Sequence, residues 1–442
     1  MTDVRIDEYG RPFRLPYQLG IFLAVNAIAD AFVVIDGPDC VFRKTEWVHG
    51  RHDTRSTLLD ALTQHRVAHT DMTADRVITD KGEAFAARVA DAANDPRARL
   101  VLVCSMPHVT IIGTQYDRIL RRVEASAPAG RAFVEVPGRS LDGDWLDGYS
   151  ATLDGIAQRI DVSGAKPDPR RVAIIGHLMD RTEEDQIANV RELERLVHAT
   201  GLDLVSVWLD GGTYDDLASA RDAGTLLALP LGRAAAKTLA QRTGARTIDV
   251  ATPFGPGRTQ RLLRALGRAT GVSERAEAVI DAELLRLVPR LEWVVPHALM
   301  HRRVAFCAPP DLWGGMLQLA GELGVEVAHL STSAQPHHLT EDLAREFGPL
   351  PPMQFAPSYE VLAEGFRAAC AQRPLDLVIG ETRACSIASA CAPVMEFGFP
   401  SHFDHALYPR PSLGFEGWLC FVDRMVRALA TPPWSERHAA GR

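Results

Sequence analysis

The chain has 442 residues, a formal net charge of −8, 46% hydrophobic residues and 24% charged residues. This is the balance of a globular protein with roughly two to four domains, at ~100–200 residues per domain. The acidic balance argues against broad binding of nucleic acid or anionic membranes, because both carry negative charge. We find no secretory leader and no apolar run of the ~18–20 residues that a membrane helix needs, so we expect a cytoplasmic protein.

Short apolar runs alternate with helical patterns along the whole chain. The runs are apolar without alternation, as is typical of strands covered on both faces of a parallel sheet. The predicted strands are residues 31–36, 100–104, 171–176, 203–208, 303–308, 325–330 and 376–380. Residues 183–200 and 311–324 are examples of the helical segments between them. We therefore predict an α/β fold with three Rossmann-like, doubly wound parallel-sheet domains, at 1–165, 166–300 and 301–442.

Two of the seven cysteines stand where a predicted strand gives way to a loop: Cys40 in "DGPDC" follows one strand, and Cys104 in "VLVCSMPH" ends another. Their irregular spacing does not indicate a disulfide framework, so we expect free thiols or metal ligands. Ligands of open α/β sheets lie outside the carboxyl ends of the strands, which is where both thiols would lie. Thiolates suit iron–sulfur clusters and zinc, and the alternative is a pair of core cysteines. If two chains each supply two thiolates, they complete the four ligands of a 4Fe–4S cluster at a subunit interface.

Polar residues also follow the predicted strand 376–380. Glu381 and Arg383 are candidate site residues, with a local ion pair as the alternative. We expect Cys391 to lie in the core. Residues 398–417 are rich in Gly and Pro and predict an irregular loop over the strand ends. His402 and His405 in this loop could bind a metal or donate protons, or could be ordinary surface histidines.

The stretch "ATPFGPGRTQ" at 251–260 lacks the Gly-Lys-Ser/Thr ending of a Walker A loop. We therefore predict a turn into a helix here and no ATP binding by this chain. No GxGxxG fingerprint with a following acidic residue is present, so NAD binding has no support either.

Taken in order, several stretches resemble the component 1 subunits of the nitrogenase superfamily. "VVIDGPDC" resembles the family's "HGPxGC" turn, and "LVLVCSMPHVTIIGTQYDRIL" resembles the segment that supplies another cluster cysteine. "VEVPGRSLDGDWLDGYSATLDGI" resembles a loop that ends in "GSxxxGY", and "EFGFPSHFDHALYPRPSLGFEGWLCFVDRM" resembles the closing segment with "GFP" and "GYEG". The superfamily includes nitrogenase, cofactor-assembly scaffolds, protochlorophyllide and chlorophyllide reductases, methylthio-alkane reductases and a reductive cyclase of coenzyme synthesis.

The resemblance implies an iron–sulfur cluster with Cys40 and Cys104 as ligands, and Asp36 or Asp39 as a further carboxylate ligand. Nitrogenase subunits have another cluster cysteine where this chain has Ala68. A 4Fe–4S cluster shared between subunits is therefore expected, and an eight-iron cluster is not.

Two further positions bear on the activity that the resemblance implies. Ala276 stands near the position of the cysteine that holds nitrogenase's catalytic metallocofactor, so dinitrogen reduction is not expected. His405 falls near the family's late histidine.

The resemblance also implies a function, that of a nitrogenase-like oxidoreductase subunit. A separate ATP-dependent Fe–S reductase dimer would deliver electrons, and the cluster would relay them to a small or tetrapyrrole-like substrate. His405, His402, Glu381 and Arg383 are the residues expected at the substrate, and the first three are candidate proton donors. The oligomer would be a homodimer or a heterotetramer with a related subunit. The alternatives are a cofactor-assembly scaffold, a non-catalytic β-type partner, and a metal-free α/β binding protein.

Overall fold

The computed structural model describes residues 11–73, 76–79, 82–110, 115–139 and 141–430. These residues form three sheets in which every strand pair is parallel, with helices alongside, which confirms the predicted α/β class. None of the described helices is long and apolar enough to cross a membrane.

The first sheet has the strand order β2-β1-β3-β4. Its strands are β1 (Ala31–Asp36), β2 (Val67–His69), β3 (Leu100–Ser105) and β4 (Ala132–Glu135). The helices of this part of the chain are α1 (Tyr17–Asn26), α2 (Cys40–Thr45), α3 (Arg76–Thr79), α4 (Glu83–Asn94), α5 (Pro107–Thr110), α6 (Tyr116–Glu124) and α7 (Trp145–Arg159).

The second sheet has the order β6-β5-β7-β8. It contains β5 (Asp168–Ile175), β6 (Asp203–Val207), β7 (Ala223–Ala228) and β8 (Arg246–Asp249), with helices α8 (Glu184–Ala199), α9 (Tyr214–Ala218), α10 (Arg233–Thr243) and α11 (Pro256–Thr270). The helix predicted at 183–200 is α8.

The third sheet has five strands in the order β11-β10-β9-β12-β13. They are β9 (Arg303–Cys307), β10 (Glu326–Thr332), β11 (Met353–Phe355), β12 (Leu377–Gly380) and β13 (Val394–Glu396). The helices are α12 (Ser273–Leu291), α13 (Trp313–Leu323), α14 (Leu343–Phe347), α15 (Tyr359–Gln372), α16 (Thr382–Ala388) and α17 (Gly414–Leu429).

The chain forms two compact units. The first unit is residues 16–250 and 265–273 and contains the first two sheets. The second unit consists of the described parts of 1–15, 251–264 and 274–442 and contains the third sheet. Each predicted domain range holds one of the three sheets, and the boundaries themselves stay a prediction.

The loop predicted at 398–417 ends earlier than expected, because α17 begins at Gly414. The glycines of 398–417 predict a loop, but Gly417 lies in the first turn of α17. A Cβ at Gly417 would lie 2.3 Å from the carbonyl carbon of Ser412. Glycine is therefore needed at this position because the backbone of Ser412 packs directly against the helix.

Helices α1 and α7 cross with their backbones in contact. Each residue of α1 is buried, as expected for a helix that is apolar on nearly all sides. A Cβ at Gly20 would lie 1.7 Å from the carbonyl oxygen of Trp145, and one at Gly148 would lie 2.0 Å from that of Tyr17. Only glycine fits at these two positions, and the contact fixes Tyr17 and Gln18 at the start of α1.

A buried guanidinium, that of Arg66, binds backbone carbonyls at one end of the first sheet. Arg66 is 3% exposed, and it donates from Nε to the carbonyl of Ala31 at 2.9 Å and from Nη2 to that of Val25 at 2.5 Å. It also donates to the carbonyl of Ile28, and from Nη1 to Oγ1 of Thr57 at 2.7 Å. One side chain thus supplies hydrogen bonds to three buried backbone carbonyls, those of Val25, Ile28 and Ala31.

We expect Arg66→Met to lower the free energy of unfolding by about 3 kcal/mol, because several buried carbonyls lose their donor together. Arg55→Met is the matched control, since Arg55 is 47% exposed and pairs with Glu184 at the surface. Its cost should stay within about 0.5 kcal/mol. Urea unfolding of both variants measures the difference, and equal costs would contradict the role assigned to Arg66.

Candidate metal centre and proton-donor loop

The turn after β1 is fixed by the buried carboxylate of Asp36. Its Oδ1 accepts a hydrogen bond from Oγ1 of Thr70 at 2.8 Å, and its Oδ2 accepts one from the hydroxyl of Tyr116 at 2.7 Å. The Thr70 hydroxyl in turn accepts from the backbone N–H of Gly37 at 3.0 Å. These bonds tie the ends of β1 and β2 to α6 and set the direction in which the chain leaves for Cys40.

Cys40 and Cys104 lie at the carboxyl edge of the first sheet. Cys40 is half-buried and is the first residue of α2. Cys104 is 2% exposed and lies beside Ile35 in the parallel pairing of β3 with β1. Burial lowers the pKa of Lys44, while negative charge on either Cys40 or Cys104 raises it. Both thiols therefore lie within electrostatic range of one ammonium group.

Tyr17 is the fourth member of this group. Its side chain is 1% exposed, and burial followed by the charge of Cys104 raises the pKa of its phenol. Among the residues that the structure describes, none forms a hydrogen bond with the Tyr17 hydroxyl. Lys44 Nζ donates to Oε1 of Gln18 at 3.4 Å. The start of α1 thus contributes a phenol near Cys104 and an amide that contacts Lys44.

Burial raises the pKa of the Cys104 thiol to about 12. Without a metal, Cys104 therefore stays protonated at neutral pH, and ligation of a metal releases its proton.

The two predicted carboxylate ligands differ in their surroundings. Asp36 uses both oxygens in the hydrogen bonds to Thr70 and Tyr116, so iron would have to displace one of these bonds. Asp39 is exposed and its side chain makes no capping bond to α2. Of the two, Asp39 has the carboxylate that is more available to bind a metal ion.

The other predicted site residues belong to the second unit. Glu381 is the N-cap of α16, where its carboxylate accepts from the N–H of Arg383 at 2.6 Å and of Ala384 at 3.2 Å. It also accepts from Nε of Arg383 at 3.1 Å, and burial raises its pKa. The guanidinium of Arg383 donates to the carbonyl of Pro357 and lies 4.2 Å from the ring centroid of Phe13. This is the local ion pair that the sequence left open.

The loop that carries His402 and His405 is held by two carboxylates. Glu396 accepts from the N–H of Phe403 at 2.9 Å and from that of Asp404 at 3.0 Å. Asp404 accepts from Arg410 and Arg424, each at 2.6 Å.

Both histidines of this loop are half-buried. The N–H of His402 donates to Oγ1 of Thr382 at 2.9 Å. His402 therefore lies next to the start of α16, close in sequence to Glu381.

The prediction for Cys391 is wrong, because this residue is exposed. Helix α16 ends at Ala388, and Cys391 lies in the turn before β13, where its thiol contacts that of Cys370. Cys307 in β9 and Cys385 in α16 are buried thiols of this unit, and burial raises the pKa of both.

The sequence did not indicate Lys44 or Tyr17. Lys44 could have been found, since it follows Cys40 by four residues and a helix places such residues on one face. Tyr17 has no comparable signal, because only the contact between α1 and α7 brings it to the thiols.

Comparisons with known proteins agree on one family. The family model of nitrogenase component 1 type oxidoreductases matches residues 18–430. The nitrogenase molybdenum-iron protein alpha chain of Methanothermobacter marburgensis is 23% identical over 349 residues, which are 77% of this chain and 69% of that protein. The nitrogenase molybdenum-iron protein beta chain of Rippkaea orientalis is 23% identical over 359 residues, which are 75% of this chain and 68% of that protein.

A solved structure, nitrogenase Cp1 at pH 6.5, shares the fold. It superposes with a TM-score of 0.80 at 18% identity and covers 97% of this chain and 94% of its own. The match of the family model spans both compact units and includes the two thiols and the histidine loop. This chain belongs to the nitrogenase component 1 type oxidoreductases.

Proposed function

We propose that this chain is a subunit of an oxidoreductase that holds an iron–sulfur cluster at Cys40 and Cys104. A separate ATP-dependent Fe–S reductase dimer supplies the electrons, and a small or tetrapyrrole-like substrate other than dinitrogen receives them. The observation that carries the proposal is that two thiols at the edge of the first sheet both act electrostatically on one half-buried ammonium, that of Lys44.

The residues at this edge suit an iron–sulfur cluster in their donor chemistry. Thiolates are the usual ligands of such clusters. A buried phenol with no hydrogen-bond partner among the described residues calls for an acceptor, and thiolate or sulfide sulfur at Cys104 would be one. When bound, the cluster supplies one-electron transfer. Lys44 adds a positive charge, which favours the more negative, reduced state of the site.

Two thiols from one chain leave a four-iron cluster short of ligands. We infer that a second subunit supplies the rest, so that the centre lies at a subunit interface. The similarity to both an alpha and a beta chain of nitrogenase supports assembly with a related chain or with a second copy. Cys40 is half-buried and Asp39 is exposed, so both can reach such a partner.

His405 and His402 are the proton donors that we favour. An imidazole exchanges protons near neutral pH, and the loop that carries both histidines is held in place by Glu396 and Asp404. Glu381 can hold a proton because burial raises its pKa, although its carboxylate is engaged with Arg383. We assign Arg383 a positioning role, because its guanidinium binds both the Glu381 carboxylate and the carbonyl of Pro357.

The exclusion of dinitrogen rests on Ala276, which is buried in α12 and offers no ligand to a second metallocofactor. A non-catalytic β-type role is the second candidate, since the chain is as similar to a nitrogenase beta chain as to an alpha chain, with 23% identity to each. In that case a companion chain contains the substrate site.

Iron and sulfide content of anaerobically purified protein tests the cluster. We expect about four irons per pair of subunits in the wild type and less than a tenth of that in Cys40→Ser and Cys104→Ser. Cys391→Ser is the control, since this exposed cysteine lies in the other unit and should leave the iron unchanged. Iron-free wild-type protein, or full iron in both ligand variants, would rule the proposal out.

Alkylation by iodoacetamide at pH 8 should separate the thiols of the iron-free protein. With a pKa of about 12, only about one Cys104 in ten thousand is a thiolate at this pH, so Cys104 should stay unmodified. Cys391 should react because it is exposed, and Cys40 should react unless iron is bound. Mass spectrometry of the peptides measures the labelling, and labelling of Cys104 as fast as Cys391 would contradict the assignment.

Tyr17→Phe should lower the midpoint potential of the bound cluster. A hydrogen bond to sulfur stabilises the reduced state, and one hydrogen bond of about 0.5–1.5 kcal/mol corresponds to roughly 20–60 mV for one electron. Tyr149→Phe is the matched control, since its buried hydroxyl donates to the carbonyl of His177 at 2.7 Å. Redox titration followed by EPR measures both variants at equal iron content. An unchanged potential in Tyr17→Phe would show that its hydroxyl does not contact the cluster.

A further inference from the structure

Two thiols of the second unit lie side by side, outside the candidate metal centre. Cys370 is half-buried in α15, and Cys391 is exposed in the turn between α16 and β13. The thiol of Cys391 forms a hydrogen bond with the sulfur of Cys370. The pair has no part in the proposed cluster, since Cys40 and Cys104 belong to the other unit.

The topology of the third sheet explains why these two cysteines meet. Cys370 lies near the end of α15, which leads into β12, and Cys391 lies just before β13. Strands β12 and β13 are adjacent and parallel, with Val378 beside Val394, so the segments that enter them meet at the amino edge of the sheet. Glu381 follows β12 at the opposite, carboxyl edge. The thiol pair is thus separated from the candidate proton donors by the length of the strands.

The packing around the pair holds the two thiols within reach of each other. Ala369, Ala388 and Ala392 are buried in one hydrophobic cluster, and Cys370 packs against this cluster. The backbone N–H of Cys391 donates to the carbonyl of Ala388 at 2.9 Å, and its Sγ lies 3.2 Å from the same oxygen. The residues next to both cysteines are therefore fixed by a common core and by the turn that ends α16.

The two thiols differ in their access to solvent. Of the seven cysteines, all of which lie in the part of the chain that the structure describes, only Cys391 is exposed. A reagent in solution therefore meets Cys391 first. Burial, followed by the charge and the hydrogen bond of Cys370, raises the pKa of Cys391, so its reaction with such a reagent is slow at neutral pH. The second step is fast in comparison, because a neighbouring thiol acts at a high effective concentration.

We propose that Cys370 and Cys391 form a reversible disulfide, with a low-molecular-weight disulfide as the oxidant. The Cys391 thiolate attacks one sulfur of the oxidant, the S–S bond of the oxidant breaks, and one thiol leaves. Cys370 then loses its proton and attacks Sγ of Cys391, the mixed disulfide breaks, and the second thiol leaves. Two protein thiols are oxidised and one disulfide is reduced to two thiols. An excess of a small dithiol reverses both steps.

A metal ion explains this pair less well than a disulfide does. Structural zinc takes four ligands. Among the described residues, no third histidine, cysteine or carboxylate joins Cys370 and Cys391 in a group of potential metal ligands. The pair is therefore complete as a dithiol and incomplete as a metal site.

Peptide mass spectrometry tests the proposal on the anaerobically purified, reduced full-length protein, with oxidised glutathione as the oxidant. In the wild type, the peptides of Cys370 and Cys391 should be linked, in at least about tenfold excess over the glutathione adduct. Cys370→Ser has no second thiol and should accumulate the adduct on Cys391. Cys391→Ser should lower both products at least about tenfold, because Cys370 is less accessible. Fragmentation distinguishes Cys391 from Cys385, which shares its tryptic peptide.

Cys420→Ser is the matched control, since Cys420 is half-buried in α17 of the same unit, and this variant should form the link as the wild type does. A wild type that keeps free thiols or a stable glutathione adduct overturns the proposal, and so does an equal amount of adduct in the wild type and Cys370→Ser. The untreated variants should contain as much iron as the wild type, which keeps this test separate from that of the cluster.

Discussion

The candidate metal centre depends on the carboxylate of Asp36. Its two oxygens bind the side chains of Thr70 and Tyr116, and its backbone carbonyl accepts from the N–H of Met106 at 2.9 Å. The turn toward Cys40 and the segment just after Cys104 are therefore tied to the same residue. Parallel strands deliver both thiols to one edge of the sheet, but this carboxylate determines how the chain continues beyond that edge.

Around this fixed edge the protein gathers groups that suit a negatively charged centre. Lys44 contributes a positive charge from a half-buried position, and Tyr17 contributes a fully buried hydroxyl. Charges interact more strongly where water is excluded, so a few groups are enough to influence electron affinity. The candidate proton donors lie in the other unit, on a loop fixed by its own carboxylates, Glu396 and Asp404.

The sequence was sufficient to predict the α/β class and seven strands, because long apolar runs are a strong signal. It missed β2, β4, β7, β8, β11 and β13. Five of these six have only three or four residues, a length at which a strand has no periodicity of its own. Residue type at a strand end predicted Glu381 and Arg383 as site residues, but could not show that they bind each other. Asp36 was predicted as a ligand from the family resemblance, whereas its hydrogen bonds come from Thr70, 34 residues away, and Tyr116, 80 residues away.

The crossing of α1 and α7 has a consequence for how such proteins diverge. Gly20 and Gly148 leave no space for a side chain, so neither position can change without separating the two helices. The cysteines are less restricted, because a chain can lose a ligand and still fold. Descendants that have exchanged one metal chemistry for another, or abandoned metals, should therefore retain the two glycines. A search for the paired signature Tyr-Gln-Leu-Gly and Leu-Asp-Gly-Tyr would trace the lineage by its architecture.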